Sequence, residues 1–156
     1  MSPSSALELK IPPVVLVLLV VAAMWALSVA APSFAWQPPY AQALALVLTA
    51  AGISVAALGV LSFRRASTTV NPTRPQNTSS LVTTGIYRLS RNPMYLGFLL
   101  ALLGWAVFLA NFLVLLPVVA FVAYMNRFQI MPEERALVAL FGTEYNAYKQ
   151  RVRRWA

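Results

Sequence analysis

The chain has 156 residues, of which 60% are hydrophobic and only 10% are charged. A soluble domain carries about a quarter charged residues, so this composition excludes an ordinary soluble fold and indicates an integral membrane protein of one domain. The net charge of +8 suits anionic lipid headgroups better than nucleic acid in so apolar a chain. The absence of cysteine and histidine excludes disulfides, thiolate nucleophiles, histidine triads and zinc hydrolysis.

Two apolar stretches open the chain, residues 12–31 and 41–63, with a turn rich in proline and aromatic residues between them. Each stretch is long enough to cross a hydrocarbon core of ~30 Å as a helix. Gly52 and Gly59, set among alanines, give the second stretch a small-residue face. Such faces let two helix backbones approach closely in a membrane.

Residues 66–92 are polar and rich in Pro, Ser, Thr and Asn, which predicts an ordered loop with turns. The apolar stretches 93–110 and 112–127 follow, with Asn111 between them. Together they are too long for one crossing and short for two. We expect a short hairpin with its turn at Asn111, and one long tilted helix is the alternative. The predicted fold is therefore all-α, with about four transmembrane helices.

The last part of the chain predicts an amphipathic helix that begins at Pro132. Proline suits the first helical position, and Glu133 and Glu134 suit the first turn, where carboxylates complement the helix dipole. Farther on, Tyr145 and Tyr148 recur at helical spacing among basic residues. This pattern favours a helix at the membrane surface, with its aromatic side chains packed there.

The distribution of cations predicts the orientation in the membrane. Lys and Arg are concentrated in the loop 66–92 and near the C-terminus, and they are absent from the connections between spans one and two and between spans three and four. Because cytoplasmic connections carry the excess of Lys and Arg, we expect the loop and both termini to be cytoplasmic. The expected location is the cytoplasmic (inner) membrane of a bacterium, where both polar segments would share one face.

Three motifs now become recognisable: LVTTGIY at 81–87, RNPMYLG at 91–97, and the block 133–152 that starts with two glutamates. In this order they resemble the isoprenylcysteine carboxyl methyltransferase family, which is similar to phospholipid N-methyltransferases. The resemblance covers residues 66–155. It implies transfer of a methyl group from S-adenosylmethionine to a lipid-soluble acceptor, such as a prenylated cysteine carboxylate. The cofactor pocket would lie between segments 68–97 and 127–155.

The resemblance also implies roles for individual residues. Arg127 and Glu133 would be catalytic, Arg127 by steering an anionic acceptor, with Gln129 as the alternative position for that role. Cofactor contacts would fall on Asn71, Ser79, Ser80, Leu81, Val82, Tyr87, Arg91, Asn92, Pro93, Met94, Tyr95, Glu133 and Glu134. The family's usual Arg-His-Pro reads Arg91-Asn92-Pro93 here. Asparagine binds through hydrogen bonds but carries no proton near neutral pH.

Methyl transfer suits the composition because displacement at a sulfonium methyl needs alignment, dry surroundings and charge compensation, with no histidine or metal. Two alternatives stay open: a phospholipid amine N-methyltransferase, and a non-catalytic membrane scaffold that keeps the fold. In the scaffold, Asn92 would be the trace of the lost chemistry; separately, Asn92-Pro93 could be an N-cap and first helical residue, a role compatible with cofactor contact. A transporter is disfavoured because 11–63 and 93–125 contain no Lys, Arg or Glu. Neither a metal nor a nucleic acid is expected, and the oligomeric state stays open.

Overall fold

The computed structural model describes residues 7–36, 39–66 and 78–156. Within these ranges the secondary structure is helical, apart from one isolated antiparallel bridge between Ala35 and Asn111. The α-helices, in chain order, are α1 (Pro13–Ala30), α2 (Ala41–Arg65), α3 (Pro93–Leu109), α4 (Leu115–Tyr124) and α5 (Met131–Arg151). A π-helix, Met125–Ile130, joins α4 to α5. The prediction of an all-α fold is confirmed.

Three helical segments of the described chain are long and apolar enough to cross a membrane. They are α1, α2 and the continuous segment Phe112–Arg151. Helix α3 has 17 residues and is therefore about 25 Å long. The protein is thus a membrane protein, and a full crossing by α3 stays a prediction.

Helices α1 and α4 run antiparallel, and contacts at both of their ends show it. At one end the side-chain amide of Asn111 donates to the carbonyl oxygen of Ala31 at 2.8 Å. At the other end the amide of Leu9 donates to the carbonyl oxygen of Phe128 at 3.0 Å. Buried side chains such as Met24 and Phe121 fill the core between the helices.

Helices α2 and α3 pack so closely that their contact requires glycine. A Cβ atom on Gly52 would lie 2.5 Å from the carbonyl oxygen of Gly97 and 2.7 Å from the amide nitrogen of Ala101. Gly59 meets Met94 near the start of α3 in the same way. The predicted small-residue face therefore packs against α3, and the C-terminal end of α2 meets the N-terminal end of α3.

The chain reverses direction immediately after α3. Ala110 has a left-handed conformation, with φ of 46°, and Asn111 is buried. The Asn111 side-chain oxygen accepts a hydrogen bond from the amide of Leu113 at 2.9 Å. The predicted turn at Asn111 is confirmed, and the alternative of one long tilted helix is wrong.

Helix α5 begins at Met131, one residue before the predicted Pro132, and Glu133 and Glu134 lie in its first turn as predicted, but the helix continues directly from the π-helix. Proline has no N–H to donate to the preceding turn, and here the π-helix precedes it. Glu133 and Glu134 therefore lie inside a continuous helical segment, where no free N-terminus is available for a dipole interaction. Gly142, with φ of 49° and ψ of −119°, interrupts α5.

Five polar segments of the described residues gather at one end of the helices, which we call the polar end. It comprises residues 7–10, the end of α2, residues 78–92, the π-helix and the C-terminal residues 152–155. The distribution of cations predicts this common location, and hydrogen bonds between these segments hold it together. The side of the membrane on which the polar end lies stays a prediction.

Candidate active site at the polar end

A polar triad of two buried residues and one partly buried glutamate connects α3 to α5. The hydroxyl of Tyr95, on the first turn of α3, donates to Oε1 of Glu133 at 2.5 Å. The side-chain amide of Gln129, on the π-helix, donates to the same oxygen at 2.5 Å. Tyr95 and Gln129 are both almost fully buried. Two neutral donors therefore fix one carboxylate oxygen in place.

The electrostatics of Glu133 differ from those of an ordinary surface acid. Glu133 follows the apolar stretch Phe112–Met125 and lies beyond the part of the helix suited to hydrocarbon. Burial raises the pKa of its carboxyl to about 7, although the hydrogen bonds from Tyr95 and Gln129 lower it. Among the described residues no Lys or Arg forms an ion pair with Glu133. The ionised carboxylate would therefore attract a cation.

Glu134 has the opposite environment, since three cations surround it. Arg91 approaches one carboxylate oxygen at 3.0 Å, Arg154 approaches the other at 2.8 Å, and Lys149 lies 4.0 Å away. The Arg91 and Glu134 side chains are only 9% and 11% exposed. Within the described chain, the buried Nε atom of Arg91 has no hydrogen-bond partner. Arg91 thus keeps one N–H for an acceptor.

The C-terminal tail lies across the start of α3. The side-chain amide of Asn92 donates to the carbonyl oxygen of Arg154 at 2.9 Å, and the Arg91 amide donates to that of Arg153 at 3.0 Å. The indole N–H of Trp155 donates to Asn126 at 3.1 Å. The Asn92 side chain makes no hydrogen bond that caps α3. Asn92 is therefore the N-cap residue of α3 by position, as expected, but its side-chain amide holds the tail instead of capping the helix.

Tyrosines from α5 pack inside the protein rather than on the membrane surface. Tyr145 and Tyr148 are 2% and 3% exposed. The hydroxyl of Tyr148 donates to the backbone carbonyl oxygen of Tyr87 at 2.7 Å. Tyr87 is itself buried, with its ring edge-on to that of Phe63. The predicted surface packing of Tyr145 and Tyr148 is wrong, because α5 folds over the segment that contains Tyr87.

The other predicted cofactor residues lie around these clusters. Ser80 donates to the carbonyl oxygen of Ala66 at 3.2 Å, which places Ser79, Ser80, Leu81 and Val82 beside the end of α2. Pro93 and Met94 pack on Gly59. Asn71 lies outside the described residues.

Arg127 is not joined to Glu133. Its guanidinium pairs with Glu8 at 3.0 Å and lies 5.5 Å from the ring centroid of Phe128. Glu8 also pairs with Arg135. The two residues predicted to be catalytic therefore belong to separate polar clusters.

A surface pocket of about 310 Å³ adjoins the cluster around Glu134. The residues that line it are Met131, Glu134, Arg135, Val138, Lys149 and Arg154. Glu133 is not one of them. This volume is within the range of about 300–1,000 Å³ that small-molecule sites occupy.

Sequence reasoning did not assign three residues, Gln129, Arg154 and Tyr148, to these clusters, although it named Gln129 as an alternative to Arg127 and Tyr148 as a surface residue. Gln129 could have been found, because it precedes Glu133 by four residues and so shares its helix face. Arg154 and Tyr148 reach Glu134 and Tyr87 over 20 and 61 residues. No local pattern signals pairings of that kind.

The family model described as phospholipid methyltransferase matches residues 40–144, more than half of the chain. The chain belongs to the phospholipid methyltransferase family. The matched region of this family member runs from the start of α2 into α5 and includes Arg91, Tyr95, Glu133 and Glu134. The tail with Arg154 lies beyond it.

Three relatives of this family member align with it over different numbers of residues. An uncharacterized protein of Haemophilus influenzae is 52% identical over 62 residues, which are 40% of this chain and 98% of that protein. The rice (Oryza sativa subsp. indica) "Probable protein-S-isoprenylcysteine O-methyltransferase" is 37% identical over 110 residues, 69% of this chain and 56% of the rice protein.

A methanethiol S-methyltransferase of Bradyrhizobium diazoefficiens is 40% identical over 67 residues, 43% of this chain and 22% of that enzyme. The chain therefore spans about half of the rice protein and about a fifth of the Bradyrhizobium diazoefficiens enzyme. No solved structure matches it significantly.

Proposed function

We propose that this protein transfers a methyl group from S-adenosylmethionine to a lipid-soluble acceptor at the cytoplasmic face of a membrane. The observation that carries the proposal is the environment of Glu133. Its carboxylate is held by Tyr95 and Gln129, both neutral, and has no cationic partner among the described residues. An uncompensated carboxylate in a partly buried site favours a cationic ligand, and a sulfonium is such a cation.

The residues at the polar end fit this cofactor on two counts. S-adenosylmethionine carries a sulfonium, and an ammonium beside a carboxylate. Glu133 offers the negative charge that a cation needs, with the ring of Tyr95 next to it. The buried Nε–H of Arg91 lacks an acceptor within the described chain, and a ligand carboxylate would supply one. Glu133 and Arg91 are therefore the residues that we expect to hold it.

When bound, S-adenosylmethionine supplies a methyl group activated by the positive sulfur. The chain's residues contribute binding, orientation and exclusion of water. Glu133 contributes mainly to cofactor binding rather than to the rate of transfer, because the positive charge that it stabilises diminishes as the methyl group leaves the sulfur. Tyr95 and Gln129 keep its carboxylate oriented. The pairing of Glu134 with Arg91 and Arg154 fastens the tail over the start of α3, which shields the site from water.

The acceptor is proposed by class. The relatives' names specify an isoprenylcysteine carboxylate and methanethiol, and the family is named for phospholipids. An ionised carboxylate or thiolate needs no base at the moment of transfer, which suits a chain without histidine. We propose that Arg127 steers an anionic acceptor, which would have to compete with Glu8 for its guanidinium.

Membranes that contain the protein would be incubated with methyl-deuterated S-adenosylmethionine and one of three acceptors. These are a farnesylated cysteine with a free carboxylate, phosphatidylethanolamine and a long-chain thiol. We expect labelled methyl ester, detected by mass spectrometry, with the farnesylated cysteine. Its formation should fall sharply in Glu133→Gln and stay unchanged in Glu144→Gln, which removes the same charge from an exposed position on α5.

Labelling of phosphatidylethanolamine instead would identify an N-methyltransferase. Cofactor binding by calorimetry without transfer to any acceptor would favour a scaffold. Absence of binding at millimolar cofactor would refute the proposal.

A further inference from the structure

Helix α5 consists of two halves that meet at Gly142. This glycine has φ of 49° and ψ of −119°, a combination that only glycine adopts readily. A Cβ atom added to it would meet no other atom within 4 Å. The backbone conformation, and not the packing, is therefore what requires glycine at this position.

The kink at Gly142 folds the second half of α5 back over the segment that leads into α3. The ring of Tyr148 is buried there, and its hydroxyl donates to the carbonyl oxygen of Tyr87 at 2.7 Å. The chain continues past the end of α5 to Trp155, whose indole N–H donates to a side chain on the π-helix. Residues 143–155 thus cover the start of α3, and we call them the cover segment.

The end of the cover segment is held by polar contacts that water can replace. The Arg91 amide donates to the carbonyl oxygen of Arg153 at 3.0 Å, and the Asn92 side-chain amide donates to that of Arg154 at 2.9 Å. The Arg154 side chain, which is 34% exposed, also pairs with Glu134. When Arg154 leaves, Glu134 keeps its ion pair with Arg91. Detachment of the cover segment therefore leaves no buried carboxylate without a cation.

The Nε atom of Arg91 is closed to ligands while the cover segment is in place. The Arg91 side chain is 9% exposed, and its Nε atom is buried without a hydrogen-bond partner in the described chain. A ligand can supply the missing acceptor only after residues that cover Arg91 move. The backbone contact with Arg153 makes the cover segment one such element. Glycine passes readily between positive and negative φ, so Gly142 permits that movement.

We propose that the cover segment is a lid that opens when Gly142 adopts right-handed helical angles and α5 becomes straight. The straight helix keeps its internal hydrogen bonds and carries Tyr148 and the chain beyond it away from the start of α3. The closed lid is the arrangement in this structure. Hinges of this kind are single residues that absorb a large change in φ and ψ. Admission of S-adenosylmethionine by the lid rests on the proposed function, whereas the hinge does not.

The first test is Gly142→Ala, because alanine favours helical angles and disfavours positive φ. Together these preferences should shift the equilibrium toward the open lid by at least about 30-fold. Hydrogen exchange of the full chain in detergent, followed by mass spectrometry, should therefore become faster by about this factor at the Arg91 amide. The matched control is Thr143→Ala, which adds helix propensity at the adjacent exposed position and leaves the hinge unchanged. Equal exchange in the two variants would overturn the hinge.

A distance measurement separates an open lid from a locally unfolded segment. Because the chain has no cysteine, nitroxide labels can be attached to Arg65→Cys at the end of α2 and to Gln150→Cys in the cover segment, both at exposed positions. Double electron–electron resonance should give one narrow distance in this background and a second, longer and equally narrow one after Gly142→Ala. A broad distribution in place of the second distance would indicate unfolding and would overturn the lid.

Two further arms complete the test. Arg154→Gln, which weakens the closed lid without changing the hinge, should populate the same longer distance, including where Gly142→Ala does not fold. An unchanged distance in Arg154→Gln would contradict the lid. S-adenosylhomocysteine should restore the shorter distance in Gly142→Ala, and binding by calorimetry without that restoration would overturn a role over the cofactor site. Absence of binding to the wild type would overturn the proposed function instead, since the ligand-free measurements decide the hinge.

Discussion

Replacing Glu133 by Gln separates charge from shape at the proposed cofactor site. The glutamine oxygen still accepts hydrogen bonds from Tyr95 and Gln129, whereas the negative charge is lost. An opposite charge within 4–6 Å changes a carboxylate pKa by about 1–3 units, at 1.36 kcal/mol per unit. We therefore expect Glu133→Gln to weaken binding of S-adenosylmethionine by about 2–3 kcal/mol, or about 30- to 150-fold, at pH 8.

The pKa of Glu133 gives this prediction a pH dependence. With a pKa of about 7, the ionised fraction of the free protein's Glu133 increases from about one tenth at pH 6 to about nine tenths at pH 8. Cation binding requires the ionised form, so wild-type affinity should rise about tenfold across this interval. The Glu133→Gln variant lacks the titrating carboxyl group, so its binding measured by calorimetry at the same pH values gives the pH dependence that comes from the cofactor itself.

Stability should change in the opposite sense from binding. The folded-state pKa lies above the ordinary value of 4.5, so the folded protein retains a proton that the unfolded chain loses. The contribution of Glu133 to wild-type stability is therefore fully present below about pH 4.5 and is lost as the pH rises to about 7. Without its ligand, Glu133→Gln should unfold at a higher temperature than the wild type at pH 8, and at the same temperature at pH 4. Affinity within threefold of wild type at pH 8, or an identical pH dependence, would refute the reasoning.

Three further predictions concern packing, ion pairing and orientation. Gly52→Ala places a Cβ atom 2.5 Å from the backbone oxygen of Gly97 and should cost about 1–3 kcal/mol of stability. An unchanged unfolding temperature in detergent would contradict this close packing. Glu134→Gln leaves the buried Arg91 guanidinium without its carboxylate and should cost about 3 kcal/mol, with faster hydrogen exchange in the C-terminal tail. Equal hydrogen exchange in the variant and the wild type would show that Glu134 does not hold the tail in place. Because the chain has no cysteine, the variants Lys10→Cys and Tyr40→Cys each offer a thiol reagent one site. The Tyr40→Cys thiol should react from outside intact cells, and the Lys10→Cys thiol should react only after permeabilisation. Labelling of both from one side would contradict the topology.

Sequence patterns predicted the parts of this fold that depend on local composition. The apolar lengths located α1 and α2, the polar Asn111 located the reversal after α3, and the glycines of α2 predicted a close helix contact. Each of these features is decided within about 20 residues of chain. Hydrophobicity and backbone freedom are therefore sufficient to identify them.

The sequence could not predict how the polar end assembles, because that depends on contacts between distant segments. Pro132 is a typical helix start, yet the helix continues through it because a π-helix precedes it. Asn92 has the pattern of a helix cap, yet its amide binds a carbonyl oxygen 62 residues later. In both cases a tertiary contact or an adjoining helix overrides the local preference.

The distribution of acidic residues explains why Glu133 is singled out. All four acids of the chain are glutamates. Glu8 pairs with two arginines, Glu134 pairs with two arginines and a lysine, and Glu144 is exposed to solvent. Within the described chain, Glu133 alone is partly buried with only neutral hydrogen-bond partners, although a cation excess surrounds its neighbour Glu134. Since the described residues that contact Glu133 leave its charge uncompensated, we expect a cationic ligand to stabilise its ionised form.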